Sequence, residues 1–304
     1  MKLWERYFTP HTLADAVELL RDFNGKARVI GGGTDLLLDI KQGHAPVAEA
    51  LVDITHIPEM TRIIIENGTA AIGAGVTHSA IVRDPLLAAH ATCLVESCGV
   101  VGGPQVRNVA TLGGNVAHAL PAADGTTSLT VLDAEAEVYY QGERRWMPLA
   151  DLFLGPGQSL IDPSRDILLG FRFKLCGTRE ATAFKRIMRP QGVALPILGC
   201  ALWVRLEDDL NTIQDVRISI NPMAPTPIRV VSVEQALAGG SVSTTLIDRA
   251  VEIARHDLHP RASKYRATSK YRLEMIEVLL RRALTLAIER ARTGKAEPEG
   301  VGLQ

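Results

Sequence analysis

The first residues of the chain alternate between helix-like and strand-like patterns of apolar side chains. After Thr12, a residue suited to cap a helix, apolar positions recur on one helical face at Leu13, Ala16, Val17 and Leu20. Short apolar runs at 27–30 and 50–54 predict two strands, and the apolar run 36–38 lies between them. The segment up to about residue 58 therefore predicts a small βαβ-like unit.

Beyond residue 58 the pattern changes to neighbouring strands joined by turns. Segments 61–65 and 69–72 flank Glu66-Asn67-Gly68, which is a turn signal between two strands. A helix is predicted over 85–95, followed by a loop over 102–108. Further strands are predicted at 136–140 and 167–175.

Past Gly177 the organisation changes again. Strands are predicted at 183–187, 197–206 and 216–220, and helices follow them. The last helix, predicted over 271–292, has the clearest apolar stripe, formed by Leu273, Ile276, Leu280, Ala283, Leu284 and Ala287. We therefore predict an α+β fold in which residues 1–177 form two subdomains, about 1–58 and 59–177. Residues 178–304 are predicted to form a C-terminal α+β domain with helices packed on an antiparallel sheet.

Composition and charge argue against several classes of function. The chain has 304 residues, of which 46% are hydrophobic and 22% are charged, as in an ordinary soluble globular protein. Its formal net charge of −1 gives no electrostatic reason to expect nucleic-acid or anionic-membrane binding. The N-terminus lacks the apolar region of a signal peptide, and no apolar run is long enough to cross a bilayer. We expect a cytoplasmic protein.

The potential metal ligands are too scattered to predict a metal site. Cys93, Cys98, Cys176 and Cys200 lack the close pairs that zinc ribbons and iron–sulfur clusters need, so we predict buried or unpaired thiols. His256 and His259 lie one turn apart, but no second pair of ligands follows them. We predict no metal bound by this chain.

Two glycine-rich stretches carry the clearest chemical signal. Residues 29–36 read Val-Ile-Gly-Gly-Gly-Thr-Asp-Leu, and residues 110–115 read Ala-Thr-Leu-Gly-Gly-Asn. Successive glycines can take positive φ and let bare backbone N–H groups converge on an anion, while Thr34, Thr111 and Asn115 add side-chain hydrogen bonds. Neither a dinucleotide fingerprint nor a P-loop is present. The pair predicts a long ligand with a diphosphate, held from both sides.

These stretches and their neighbours also carry a family resemblance. Residues 104–115, followed by Pro121 and Asp124, closely resemble the flavin-binding signature of the xanthine dehydrogenase family of molybdenum hydroxylases, and residues 29–36 match the same family. Further matches run along nearly the whole chain, at 166–169, 183–185, 224–229 and 271–272.

The resemblance implies a separate FAD-binding, or medium, subunit. It would consist of a PCMH-type FAD-binding domain of two subdomains and a C-terminal domain like that of the carbon monoxide dehydrogenase flavoprotein. In this family a partner with [2Fe-2S] clusters passes electrons from a molybdopterin-binding partner to FAD, which reduces NAD or another acceptor. We therefore expect a hetero-oligomer, such as a dimer of heterotrimers, and no catalytic side chain on this chain, because the flavin performs the redox step.

The resemblance also implies roles for individual residues. The pyrophosphate and the neighbouring ribose or ribityl groups would be lined by Val29, Ile30, Gly31, Gly32, Gly33, Thr34, Asp35, Thr111, Gly114 and Asn115. Asp124 would accept a hydrogen bond from a sugar hydroxyl, and Val101 and Gly102 would lie beside the adenine half. Leu168 would lie near the ring system and Lys185 near the polar edge of the flavin or the diphosphate.

Each assignment has a purely structural alternative. A Gly-Gly pair is commonly a tight turn, and Asp124 could cap a helix. Lys185 on a strand could be a solvated surface residue and Leu168 a core residue. For Arg107 and Asn108 we favour a structural role, in which they hold the loop through backbone hydrogen bonds. His118 is expected on a pocket wall or at the surface.

Two other function classes and one departure from the family pattern stay open at this point. The chain could be a free-standing flavin oxidase that binds its substrate directly, or an assembly subunit that has lost FAD. Many relatives carry an aspartate in the segment matching 186–196, and here Ala194 stands near its place.

Overall fold

Strands form the framework of the computed structural model, which describes residues 2–189, 195–260, 262–263 and 266–300. Within these residues the strands make three sheets of three or more strands and one short hairpin. Ala194, the departure from the family pattern, lies outside the described residues.

The first subdomain is a three-stranded parallel sheet with two helices. Its elements are β1 (Trp4–Phe8), α1 (Leu13–Asp22), β2 (Ala27–Ile30), α2 (Leu36–Gln42) and β3 (Ala48–Asp53). Both β1 and β2 pair with β3. Thr12 caps α1 by accepting a hydrogen bond from the Asp15 amide at 3.1 Å. The predicted βαβ-like unit is confirmed, whereas β1 was missed because its side chains are largely exposed and show little apolar pattern.

The second subdomain is built on a five-stranded antiparallel sheet in the order β4-β5-β10-β6-β7. Its strands are β4 (Ile63–Glu66), β5 (Thr69–Gly73), β6 (Glu135–Tyr140), β7 (Glu143–Pro148) and β10 (Ile167–Lys174), with the hairpin β8 (Phe153–Gly155) and β9 (Gln158–Ser159) beside them. Asn67 and Gly68 take positive φ, as the turn signal predicts. In the strand order, β10 is the central strand of this sheet.

Helices cover this sheet and carry the second glycine stretch. They are α3 (His78–Arg83), α4 (Pro85–His90), α5 (Thr92–Gly99), α6 (Pro104–Arg107), α7 (Leu112–Ala117) and α8 (Asp124–Val131). The helix predicted over 85–95 is divided, because Ala91 leaves helical geometry between α4 and α5. The predicted loop 102–108 contains the helical turn α6, which Pro104 begins.

The C-terminal domain packs its helices on an antiparallel sheet, as predicted. Its elements are β11 (Glu180–Met188), β12 (Pro196–Leu206), β13 (Ile213–Asn221), α9 (Val231–Leu237), α10 (Thr244–Asp257) and α11 (Ser269–Thr293). The predicted stripe of α11 is buried in the domain core, except for the half-buried Leu273. The amphipathic pattern therefore locates the buried face of the last helix correctly.

All four cysteines are buried as free thiols, as predicted. Burial raises the pKa of each thiol, so the thiols are neutral at physiological pH. Across the described ranges, no group of three or more His, Cys, Asp or Glu side chains is arranged to hold a metal ion. Among the same residues, no helix combines the length and apolar character needed to cross a membrane.

A buried ion pair joins the C-terminal domain to the second subdomain. Arg290 of α11 contacts Glu96 of α5 at 2.7 Å, and the two side chains are 3% and 1% exposed. The other oxygen of Glu96 accepts a hydrogen bond from the Phe184 amide of β11 at 2.7 Å. Arg290 also donates to the Thr182 carbonyl at 2.8 Å. A charged pair with these additional bonds holds α5 against both β11 and α11.

We expect Arg290→Met to lower the free energy of unfolding by about 3–5 kcal/mol, because Glu96 would remain as an uncompensated buried charge. Urea denaturation of the purified chain measures the change. Arg282→Met is the matched control, since Arg282 is an exposed residue of the same helix, and its effect should stay within about 0.5 kcal/mol. Equal effects of the two substitutions would contradict this account.

Candidate functional site

The two glycine-rich stretches meet where the first and second subdomains join. A Cβ on Gly32 would lie 1.9 Å from the Val109 carbonyl oxygen, and a Cβ on Gly31 would lie 2.9 Å from Thr111 Oγ1. No side chain larger than hydrogen fits at Gly32, so the backbones can approach this closely only at glycine. The structure therefore brings together the two stretches that the sequence pairs.

The first stretch presents unused backbone donors. Gly33 has φ +69°, which favours glycine, and its carbonyl accepts a hydrogen bond from Leu37 at the start of α2. Among the described residues, no acceptor is bonded to the amides of Gly32, Gly33 or Thr34. These groups are partly exposed. They can accordingly donate to an anion without breaking an existing bond.

The second stretch differs, because its amides are already used inside the protein. Leu112 donates to the Val76 carbonyl at 3.0 Å and Gly113 to the Ala74 carbonyl at 2.9 Å. Thr111 Oγ1 accepts from the Gly114 amide at 3.0 Å, so the two glycines form the first turn of α7 rather than an open loop. The expectation of bare amides therefore holds for the first stretch and is wrong for the second.

The two glycines of the second stretch have different surroundings. A Cβ on Gly113 would lie 2.5 Å from the Cβ of Ala74, whereas the nearest atom to a Cβ on Gly114 would be Thr111 Oγ1 at 3.2 Å. Gly113 is buried and Gly114 is exposed. Gly113 thus serves internal packing, and Gly114 leaves an open surface beside the first stretch.

A cavity of about 430 Å³ opens beside the first stretch. Its lining includes Gly31, Gly32, Asp53, Thr77, Asn108 and Val109. The Asp53 carboxylate accepts hydrogen bonds from the Tyr7 hydroxyl at 2.7 Å and the Thr55 amide at 2.8 Å. Sequence reasoning did not identify Asp53 as part of this region, because it reads as the end of an apolar strand.

The segment containing Val101 and Gly102 is held by arginine. Arg107 Nη1 donates to the Gly102 carbonyl at 3.0 Å and the Val101 carbonyl at 3.4 Å. This confirms the structural role predicted for Arg107. His78, buried next to Arg107, has a pKa lowered to about 4 by burial and by that guanidinium. It is therefore neutral at physiological pH.

Asn115 and Asp124 lie on neighbouring helices. A Cβ on Gly125 would be 2.9 Å from Asn115 Oδ1, which is buried and has no hydrogen-bond donor among the described residues. Asp124 is the first residue of α8, with Ala123 at the cap position. Its Oδ2 contacts Arg186 Nη1 at 2.5 Å. Burial raises the pKa of Asp124 to about 6, although the Arg186 charge opposes the shift.

Lys185 and Leu168 have different contacts from Asn115 and Asp124. Successive side chains of a strand point to opposite faces, so Lys185 and Arg186 of β11 face different ways. Lys185 Nζ contacts Glu299 at 2.6 Å. Leu168 is a buried core residue next to an irregularity in β10. Arg186 was not predicted as a site residue. The alternation of side-chain direction along β11 would have placed it on the opposite face from Lys185.

The site can be tested for its fit to FAD, the cofactor that the family resemblance implies. The first stretch offers free amides for a diphosphate, and Asn115 offers a buried oxygen that lacks a donor. Asp124 Oδ1 has no donor within the described parts of the chain, and Gly114 leaves the approach open. A dinucleotide supplies phosphate oxygens and sugar hydroxyls for these groups. The residues fit the cofactor.

Family profiles match the chain in two segments. Residues 3–173 match the family described as the FAD binding domain in molybdopterin dehydrogenase. Residues 182–287 match the carbon monoxide dehydrogenase flavoprotein C-terminal domain. The two matches cover most of the chain.

Individual proteins resemble the chain over nearly its full length. A xanthine dehydrogenase FAD-binding subunit from Escherichia coli O157:H7 is 30% identical over 288 residues, covering 94% of this chain and 96% of the relative. The carbon monoxide dehydrogenase medium chain from Hydrogenophaga pseudoflava is 28% identical over 281 residues, covering 92% and 96%.

A solved structure has the same fold. The structure of carbon monoxide dehydrogenase from Hydrogenophaga pseudoflava which lacks the Mo-pyranopterin moiety of the molybdenum cofactor matches with a TM-score of 0.87 and 27% identity, covering 95% of this chain and 99% of that one. This confirms the predicted α+β fold. The chain belongs to the FAD-binding oxidoreductase subunits of the molybdenum hydroxylase family.

Proposed function

We propose that this chain binds FAD at the joint of its first two subdomains and transfers electrons within a multisubunit molybdenum hydroxylase. The observation that carries this proposal is the contact between the two glycine stretches, with free amides on the first. FAD supplies the redox chemistry, since its ring accepts electrons and passes them on. The residues of the chain bind and orient it.

The proposed roles follow the contacts. Residues 29–35 line the diphosphate, to which Gly32, Gly33 and Thr34 donate their free amides, and Thr111, Gly114 and Asn115 border it from α7. Val101 and Gly102 lie beside the adenine half, and the free oxygen of Asp124 accepts from a sugar hydroxyl. The roles of Leu168 beside the ring and of Lys185 at the polar edge rest on the family resemblance.

The proposed partners are an Fe-S subunit with [2Fe-2S] clusters and a molybdopterin-binding subunit, and the proposed acceptor is NAD or another oxidant. The names of the relatives support a subunit role, since they call their proteins a FAD-binding subunit and a medium chain. We propose that the complex works in the cytoplasm as a hetero-oligomer, such as a dimer of heterotrimers.

Substitution of the two neighbouring glycines tests the site. Gly114→Val should reduce FAD affinity at least tenfold while keeping the fold, because the new side chain enters the open approach. Gly113→Ala should instead lower the unfolding free energy by about 1–3 kcal/mol, because its methyl group overlaps Ala74. Flavin fluorescence titration and urea denaturation measure the two effects. Normal FAD binding by Gly114→Val would mean that the second stretch is only a turn.

The isolated chain tests the electron-transfer role. It should purify yellow, or bind added FAD, and be reduced by dithionite but not by purines, aldehydes or nicotinate in anaerobic spectra. Addition of the partner subunits should then allow reduction by the organic substrate of the complex. Rapid reduction of the isolated chain by an organic substrate would instead favour a free-standing flavin oxidase.

The pKa of Asp124 predicts a pH dependence of FAD binding. The ionised carboxylate is the better acceptor for a sugar hydroxyl, so affinity should be high at pH 7.5 and fall as pH drops through the pKa of about 6. Asp124→Asn should remove this dependence between pH 5 and 7.5. FAD titrations across that range measure it, and parallel curves for the two proteins would contradict the role of Asp124.

A further inference from the structure

Arg186 extends from the C-terminal domain into the second subdomain. Its side chain is 6% exposed, and its Nη1 contacts the Asp124 carboxylate at 2.5 Å. Its Nη2 donates to the Val100 carbonyl at 2.5 Å and lies 3.1 Å from the Met188 sulfur. One guanidinium therefore joins β11, the start of α8 and the segment that follows α5.

These contacts fall on two segments to which we assign FAD. Asp124 is the proposed acceptor for a sugar hydroxyl, and Val100 directly precedes the proposed adenine-side residues Val101 and Gly102. With Arg107 bonded to the carbonyls of 101 and 102, arginines hold all three carbonyls of the 100–102 segment. The shape of this segment therefore depends on Arg107 of the second subdomain and on Arg186 of the C-terminal domain.

Unused polar atoms lie beside this network. The Nε–H of Arg186 is buried without an acceptor in the described part of the chain, as Asn115 Oδ1 is buried without a donor. A buried polar atom without a partner costs free energy, so a ligand that satisfies it binds more favourably. A sugar hydroxyl can both donate and accept a hydrogen bond, so the polyol portions of FAD suit atoms of both kinds.

We propose that Arg186 is a positioning residue for FAD, which holds the Asp124 carboxylate and the 100–102 segment in their binding geometry and couples FAD binding to docking of the C-terminal domain. This rests on the proposed FAD site. Because such coupling is reciprocal, FAD should stabilise the docked domain by as much as docking strengthens FAD binding.

The charged groups around Asp124 make the coupling measurable. Arg186 of β11 contacts it directly, and Cys98 of α5 lies nearby with a thiol pKa raised by burial. The charge of Arg107 interacts with that of Arg186, and burial and the Arg107 charge keep His78 neutral above pH 5. Asp124 is thus the member of this group that titrates near pH 6. Since the Arg186 charge favours the carboxylate, its loss should raise the pKa of Asp124 further.

FAD titration of the purified chain from pH 5 to 8.5 tests the proposal. Arg186→Met should weaken FAD binding at least tenfold at pH 7.5 and move the pH midpoint of binding upward. Arg186→Lys should return the midpoint towards the wild-type value. Arg205→Met is the matched control, because Arg205 lies on β12 of the same sheet and pairs with Glu180, and it should change neither quantity.

An unchanged midpoint in Arg186→Met would overturn the proposal, since lost packing alone does not move the pKa of Asp124. Absence of FAD binding by the wild-type chain would instead overturn the proposed function. If Arg186→Met does not fold, the substitution is made in an Asp124→Asn background, where no unpaired carboxylate remains. Compared with Asp124→Asn alone, the double variant should bind FAD less than tenfold more weakly, because the effect of Arg186 that acts through the Asp124 carboxylate is already absent. A larger loss would overturn the proposal.

Discussion

The contact between Gly32 and the Val109 carbonyl is the constraint on which the candidate site depends. A methyl group at Gly32 would lie 1.9 Å from that oxygen, so only glycine lets the two subdomains meet here. The contact places the free amides of the first stretch beside Thr111 and the open surface at Gly114. Gly32 and Val109 also line the cavity beside the first stretch. A larger residue would separate the groups that the proposed FAD site needs together.

Buried charges impose the second constraint, at the joint with the C-terminal domain. The pairs Glu96–Arg290 and Asp124–Arg186 both cross this joint, and each side chain is nearly excluded from water. Desolvation offsets much of the attraction in such pairs, so they contribute little net stability, whereas loss of one partner is costly. Their main effect is geometric, because a domain docked at another angle would leave charges unpaired. The domain that follows the FAD-binding domain thereby shapes the candidate site.

Local patterns predicted much of the fold. The Thr12 cap, the Asn67-Gly68 turn and the stripe of α11 depend on residues close in sequence, so periodicity and turn chemistry were sufficient. The occupied amides of Leu112 and Gly113 were not predicted, because their acceptors, the carbonyls of Val76 and Ala74, are distant in sequence. Arg186 was missed because the resemblance directed attention to its neighbour, and the contacts that distinguish the two come from other elements.

The sequence by itself determined most of the element types, the α+β architecture, the two glycine stretches and, through its motifs, the FAD-binding family, because these follow from local periodicity and short-range spacing. Tertiary structure decided which glycines pack and which leave an open surface, which amides stay free, and which arginine reaches Asp124. Those properties depend on contacts between segments far apart in the chain. Close packing and the pairing of buried polar groups arise only when those segments meet.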